Sequence, residues 1–248
     1  MKTEAFEFFR PIHLAETDST NRYLRELEGS DNVAVWTDYQ TAGRGCGTNR
    51  WESARGQNLL FSVRYHPRHI AANRQFLLLE AMALAVKDTL DFCLAEEKLT
   101  VKWPNDIYWR NLKLAGTLSE CTLAGPVIRS CIIGTGLNLN QTVFLSDAPN
   151  PVSMLQITGN ALQPESTLQR ILASLRNRLQ QAEQGEGDVL HNDYCAALYR
   201  RTGIHSYRDA QGLFEARLHH IDPDGTLWLM DAGGEIRKYR FKEVRYEQ

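Results

Sequence analysis

The chain has 248 residues, 43% of them hydrophobic and 23% charged, which suits a folded protein holding a medium domain and a small one. Its 28 lysines and arginines against 30 acidic residues give a net charge of −2, so no global basic field exists to hold nucleic acid. No run of eighteen apolar residues and no apolar stretch behind Met1 is present, which argues against a membrane-spanning helix and a secretory signal.

Residues 6–14 read as a strand. Thr17-Asp18-Ser19-Thr20-Asn21 then offers more N-cap candidates than the short helix before Gly29 needs. One suffices for the cap, and the surplus hydroxyl and amide groups suit a polar ligand at a helix N-terminus equally well. Residues 33–37 and 57–63, β-branched and aromatic, predict two strands. Between them lies Gln40-Thr41-Ala42-Gly43-Arg44-Gly45-Cys46-Gly47-Thr48-Asn49-Arg50-Trp51. Glycine costs about 1 kcal/mol relative to alanine in regular structure, so the cluster implies positive φ angles or a close backbone approach. Its arginines suggest an anion. Because the segment joins strand to strand, it is neither a P-loop nor a dinucleotide fingerprint. An anion here would meet arginine and backbone N–H groups.

The pattern predicts a long helix over residues 74–95 packed on most sides, a strand over 99–103 ended by Pro104, and a hairpin of strands 106–109 and 112–118 around Arg110-Asn111. Lys113 falls inside an apolar strand, where an unpaired ammonium is costly; it either has an anionic partner or reaches solvent at a strand edge. Lys102 alone reads as a surface cation. Residues 127–139 predict another strand, on which Gly134 and Gly136 share one bare face, open to a flat ligand or to a neighbouring backbone. Helices over 164–184 and 189–200 follow. From Gly203, short strands separated by Asp209-Ala210-Gln211-Gly212, Asp222-Pro223-Asp224-Gly225 and Asp231-Ala232-Gly233-Gly234 predict a small all-β barrel, with a domain boundary near Thr202. The five cysteines, an odd count without C-x-x-C spacing, indicate neither a disulfide framework nor a zinc site, and a reducing cytoplasm is the simplest setting. His219 and His220 are expected on opposite faces of a strand.

Taken in order, Glu16-Thr17-Asp18-Ser19-Thr20-Asn21, Gln40-Thr41-Ala42-Gly43-Arg44-Gly45 with Trp51, Lys102-Trp103-Pro104-Asn105-Asp106, Lys113-Leu114-Ala115-Gly116 and Gly134-Thr135-Gly136-Leu137-Asn138 resemble the biotin protein ligase family. The resemblance is tight over residues 8–140. It is looser in the β segment, through Gly212, Asp224-Gly225 and Phe241-Lys242-Glu243-Val244. It implies an α+β fold, with a mixed sheet flanked by helices like the class II aminoacyl-tRNA synthetase and biotin synthetase catalytic domains over residues 1–202. An SH3-like barrel over residues 203–248 would follow. The implied activity is a ligase that converts biotin and Mg-ATP to biotinyl-5'-AMP and pyrophosphate, then transfers biotin to a lysine of a biotin carboxyl carrier protein, the carrier domain of a biotin-dependent carboxylase.

By the same resemblance, Lys113 bridges the biotin carboxylate and the α-phosphate, Arg44 anchors the glycine loop, Lys102 adds a cation, and Asp106 orients or deprotonates the incoming amine. Ser19, Thr20, Asn21 and Gln40 meet the ureido ring, and Gly43, Gly45, Cys46, Gly116, Gly134 and Gly136 complete the biotin site. Trp51 covers the adenine, with Arg50, Asn105 and Asn138 on the nucleotide. The metal ligands stay unassigned. The implied protein is a cytoplasmic monomer or homodimer with no membrane or nucleic-acid partner, since the first strand begins too near Met1 to leave room for the helix-turn-helix of repressor members. The alternative is a lipoate or octanoate ligase or transferase of similar catalytic fold, against which the Lys-Trp-Pro-Asn-Asp and Gly-Arg-Gly motifs speak.

One departure stands out. The usual family form is G-R-G-x-x-G-R-x-W, whereas here Cys46-Gly47-Thr48-Asn49-Arg50 lies between Gly45 and Trp51, with a glycine displaced and cationic side chains missing. Fewer fixed charges facing the phosphate predict faster release of free biotinyl-adenylate than from an arginine-rich relative assayed side by side. Equal retention would remove that expectation.

Overall fold

The structure is a computed structural model and describes residues 4–45, 50–94, 97–145 and 150–247. Strands β1 (Arg10–Leu14), β2 (Val33–Thr37), β3 (Leu59–Tyr65), β4 (Thr100–Lys102), β5 (Asp106–Trp109), β6 (Leu112–Ala124) and β7 (Val127–Leu137) form a seven-stranded sheet in the order β1-β2-β3-β7-β6-β5-β4. β1 and β2 run parallel around helix α2 (Thr20–Glu26), and the remaining neighbours are antiparallel. The sheet is mixed and flanked by helices, as expected.

Strand alternation shows which helix covers which face. Ala34, Cys131 and Ile133 enter the main core beneath α3 (Phe76–Asp91), α5 (Pro164–Glu183) and α6 (Gly187–Ala196). Val33, Val35 and Ile132 join Leu24 of α2 in a second cluster. Every residue of β3 is buried, which is the pattern of a central strand covered on both faces. Two of those residues are polar and grip α2 at its two ends. Ser62 reaches Thr20 and Asn21, while Arg64 donates to the carbonyls of Leu24 at 3.3 Å and Leu27 at 2.5 Å. A guanidinium at carbonyls left open by a helix C-terminus satisfies both.

Several sequence expectations are corrected. The predicted strand over 6–14 starts only at Arg10; Glu4–Phe8 forms a short helix α1 that buries Ala5 and stacks Phe6 on Trp36. The predicted helix 74–95 is α3, preceded by a 3-10 turn over Ala72–Arg74. α6 starts and stops earlier than expected, because the chain after it pairs with β4: Val101 N–H donates to Ala197 O and Tyr199 N–H to Val101 O. Helix α4 (Met154–Thr158) went unpredicted despite a capping box between Ser153 and Gln156 and a left-handed Gly159. No helix among the described residues is long and apolar enough to cross a membrane.

The C-terminal part forms a five-stranded antiparallel sheet, β8 (His205–Asp209), β9 (Gly212–Ile221), β10 (Leu227–Asp231), β11 (Ile236–Tyr239) and β12 (Arg245–Tyr246), in the order β11-β10-β9-β8-β12. Its turns are tied by aspartates. Asp209 accepts from Gln211 and Gly212 N–H, Asp224 from Thr226, and Asp231 from Gly233 and Glu235. A bulge opposite Trp228 and Leu229 breaks the alternation of β9, so His219 and His220 are both exposed and their ring nitrogens lie 2.6 Å apart, contrary to the expected opposite faces. This sheet docks on the first unit. Trp103 Nε1 donates to Gly225 O at 3.0 Å, and Phe241 packs against Trp103 and Phe76.

Candidate active site

A cavity of about 720 Å³ opens where the N-terminus of α2, segment 40–52, strands β5 to β7 and residues 241–246 meet. Ser19, Thr20, Asn21, Gln40, Arg44, Gly45, Arg50, Trp51, Lys102, Asn105, Asp106, Lys113, Gly116, Gly134, Gly136 and Asn138 all line it. Of the remaining sequence candidates, Gly43 does not line the wall, and Cys46 lies outside the described residues.

One end of the cavity is an amide and hydroxyl cluster. Ser19 occupies the N-cap of α2 with extended backbone, yet its side chain makes no capping bond. The cap comes from 20 residues further on: Gln40 Oε1 accepts from Thr20 N–H at 2.8 Å and lies 3.1 Å from the Thr20 hydroxyl. Ser62 Oγ sits 2.7 Å from Thr20 Oγ1 and 2.6 Å from Asn21 Oδ1. With Oδ1 turned to Ser62 and Gln40 Oε1 taken by Thr20, the amide nitrogens of Asn21 and Gln40 remain as donors for a ligand acceptor. A Cβ on Gly134 would lie 2.0 Å from Asn21 Oδ1, so that glycine makes room for Asn21. The bare face read from the sequence is therefore covered by protein at this point. Ser62, behind the cavity wall, is a positioning residue that sequence reasoning missed, although a serine between the apolar Phe61 and Val63 was a signal for it.

The other end is cationic. Lys113 Nζ lies 2.7 Å from Asp106 Oδ1, with both side chains about a quarter exposed (28% and 22%). The hairpin of β5 and β6 sets Asp106 opposite Gly116, and a Cβ on Gly116 would come within 3.1 Å of Asp106 Oδ1 and 3.3 Å of Lys113 Nζ. Gly116 is thus the notch that holds the ion pair. Gly136 plays the same part for Trp51, whose indole would lie 2.3 Å from an added Cβ and whose ring centroid is 5.9 Å from Lys113 Nζ. Gly43 packs under the Trp51 carbonyl and the Gln40 amide, Trp51 N–H donates to Gly43 O at 3.1 Å, and the Arg44 and Arg50 backbones form an antiparallel bridge.

Two buried polar atoms beside this end have no hydrogen-bond partner among the described residues: Trp51 Nε1, a donor, and Asn138 Oδ1, an acceptor. Asn138 is 3% exposed and its Nδ2 donates to Val152 O, so its unpaired oxygen carries a desolvation cost of about 1–3 kcal/mol. A ligand bearing both a donor and an acceptor would relieve both atoms.

Lys102 departs from the reading of a surface cation. Its Nζ bonds the Tyr108 hydroxyl at 3.1 Å, sits 5.1 Å from the Tyr246 ring centroid, and has its pKa lowered, chiefly by burial. Asn105 donates its side-chain amide to Thr117 O, which holds the 103–105 turn in place. Lys242 and Arg245 from the second sheet reach the same wall, so that unit contributes to the cavity. Among the described residues no group of three or more His, Cys, Asp or Glu is arranged to hold a metal.

The mixed sheet thus carries one cavity with a polar amide and hydroxyl cluster at one end and a lysine–aspartate pair at the other. The chain belongs to the biotin/lipoate A/B protein ligase family, whose family model matches residues 14–138, and within it to the biotin protein ligases. It is 30% identical over 235 residues to the biotin--[acetyl-CoA-carboxylase] ligase of Paracoccus denitrificans, covering 89% of this chain and 94% of that one. To the enzyme of the same name from Mycobacterium tuberculosis it is 32% identical over 237 residues, covering 89% and 83%. The structure of the biotin protein ligase of Aquifex aeolicus in complex with biotin and ATP superposes with a TM-score of 0.79 at 24% identity, covering 96% of this chain and 99% of that one, a likeness of fold.

Proposed function

We propose that this chain is a biotin–[carboxyl carrier protein] ligase, forming biotinyl-5'-AMP from biotin and Mg-ATP and passing biotin to a carrier lysine. The observation that carries the reading is the polarity of the cavity: the amide nitrogens of Asn21 and Gln40 at one end, and Lys113 with Asp106 at the other. Those ends match a ureido carbonyl and a carboxylate on one elongated acid. The relatives named for the same reaction support it.

In the first step the biotin carboxylate attacks the α-phosphorus and pyrophosphate leaves. Anion approaches anion, so the requirement is cations fixed where charge accumulates. Lys113 fits between carboxylate and α-phosphate, with Arg44 and Arg50 on the glycine segment and Lys102 on the facing wall. Trp51 Nε1 and Asn138 Oδ1 are suited to nucleotide atoms. Magnesium arrives with the triphosphate as substrate, and no protein ligand is assigned to it. In the second step the carrier amine, a protonated lysine at neutral pH, must lose a proton before attacking the acyl carbon and expelling AMP. Asp106 is the carboxylate placed to take it once Lys113 turns to the phosphate. We further read residues 203–248 as an SH3-like unit beginning after Thr202, and the protein as a cytoplasmic monomer or homodimer without a nucleic-acid partner. The near-neutral charge balance supports the last point.

The test is ATP–pyrophosphate exchange with biotin, lipoate or octanoate as the added acid. Exchange with biotin alone is expected; exchange with lipoate or octanoate alone would move the chain to the other branch of its family. Within the biotin reading, Ser62→Ala is expected to raise KM for biotin about tenfold with little change in kcat, because Asn21 loses the contact that orients its amide. An unchanged KM would show that Asn21 is held without Ser62.

A further inference from the structure

We propose that Cys121 and Cys131 are a redox modification site, closing to a reversible disulfide between β6 and β7 when hydrogen peroxide reaches them. The two residues stand directly opposite one another in the antiparallel ladder, and their sulfurs are 2.9 Å apart, both as free thiols. Opposed strand positions hold Cβ atoms about 4.5–5.5 Å apart, close to what a disulfide spans, so closing the bond requires side-chain rotation and a small approach of the strands. Neither cysteine lines the cavity, and the proposed ligase reaction has no use for them. Cys195, by contrast, contacts a histidine.

The pair is asymmetric in the way the chemistry needs. Cys131 is fully buried, while Cys121 is partly exposed and is the side an oxidant meets. The contact between the two sulfurs holds the Cys121 pKa below the ordinary thiol value, and that same contact together with burial raises Cys131. The Cys121 thiolate attacks one peroxide oxygen, forming S–O and breaking O–O. The departing hydroxide takes a proton as water and leaves a sulfenic acid. The Cys131 sulfur then attacks that sulfur, S–S forms, S–O breaks, and the second hydroxide leaves as water with the Cys131 proton. Two thiols and one peroxide become one disulfide and two waters. The bond ties β6, which carries Lys113 and Gly116, to β7, which carries Gly134 and Gly136.

The experiment treats the reduced native protein with hydrogen peroxide, blocks remaining thiols with iodoacetamide and maps the peptides by mass spectrometry. A linked peptide joining Cys121 to Cys131, lighter by two hydrogens and released by dithiothreitol, is expected. In Cys131→Ser, Cys121 should stop at a sulfenic acid that dimedone traps, which shows that the first sulfur is still reached. Recovery of both cysteines as carbamidomethyl derivatives while other cysteines oxidise would overturn the proposal. So would Cys121 ending as sulfinic acid in the native protein, or linking to a different cysteine.

Discussion

Lys113→Ala is expected to lower biotin-dependent ATP–pyrophosphate exchange by about 10²–10³-fold, the usual cost of removing one fixed donor from a site of developing negative charge. The reason is positional. Lys113 stands between the Asp106 carboxylate and the Trp51 ring, and Gly116 leaves open space beside its ammonium. Its loss also leaves the Asp106 carboxylate facing two incoming anions without its counter-charge. The defect should therefore be partly relieved by Asp106→Asn in the Lys113→Ala background, although Asp106→Asn alone is expected to slow transfer to the carrier. Two such coupled residues are not additive, and the double-mutant cycle measures by how much. Lys113→Arg should rescue poorly, since a planar fork cannot occupy a notch shaped for a compact ammonium. The defect should fall on kcat more than on KM for biotin. Exchange by a folded Lys113→Ala protein within tenfold of the native rate would remove Lys113 as the transition-state cation.

Much of this site was legible because motif residues converge from short, strongly patterned segments. The glycine segment after β2, the lysine within β6, and the glycine pair on β7 were each marked by a residue type at odds with its surroundings. What could not be read was which protein atoms fill the space the glycines clear. Gly134 and Gly136 were seen as a bare shelf, but the shelf carries Asn21 and Trp51, brought there from segments more than eighty residues away. Strand periodicity reports the face of a residue and is silent about what crosses that face. The same limit hid the link between the two units. Nothing in the Asp222 to Gly225 turn signals that its glycine, at φ 89°, lies against Phe76 or that its carbonyl accepts from Trp103. The N-terminus failed for a different reason: Phe6, Phe8 and Phe9 have β propensity, yet burial of Ala5 and Phe9 and the stack on Trp36 make the first turn helical.

The junction of the two units also carries the largest expected effect on stability. Glu80 of α3 is 1% exposed and its Oε1 lies 2.6 Å from His191 Nδ1 of α6, while His191 Nε2 lies 3.0 Å from Ile221 O of β9. Both ring nitrogens face oxygen atoms, the arrangement of an imidazolium paired with a carboxylate, while burial raises the Glu80 pKa above the ordinary carboxylate value. The Cys195 sulfur and the Glu80 carboxylate beside the ring raise the His191 pKa to about 10. Glu80→Ala leaves a buried imidazolium without its carboxylate, and removing one partner of such a pair costs about 3–5 kcal/mol. For a chain of this size that is about 10 °C in thermal midpoint, measurable by calorimetry. The pH dependence follows from the direction of the shift. A His191 pKa raised above the unfolded value of about 6.5 gives a contribution that is lost as pH rises through 10, and the raised Glu80 pKa means that the carboxylate half of the pair is lost at the acid end. Glu80→Gln, which keeps an amide oxygen for the ring but no charge, should therefore trail the native protein most between the two titrations, near pH 7–8, and the gap should close as the pH passes 10. A gap that is constant from pH 6 to 10.5 would mean that the imidazole is neutral in the native protein. The contact joining α3, α6 and β9 would then be an ordinary hydrogen bond, with Glu80 paired to a neutral ring.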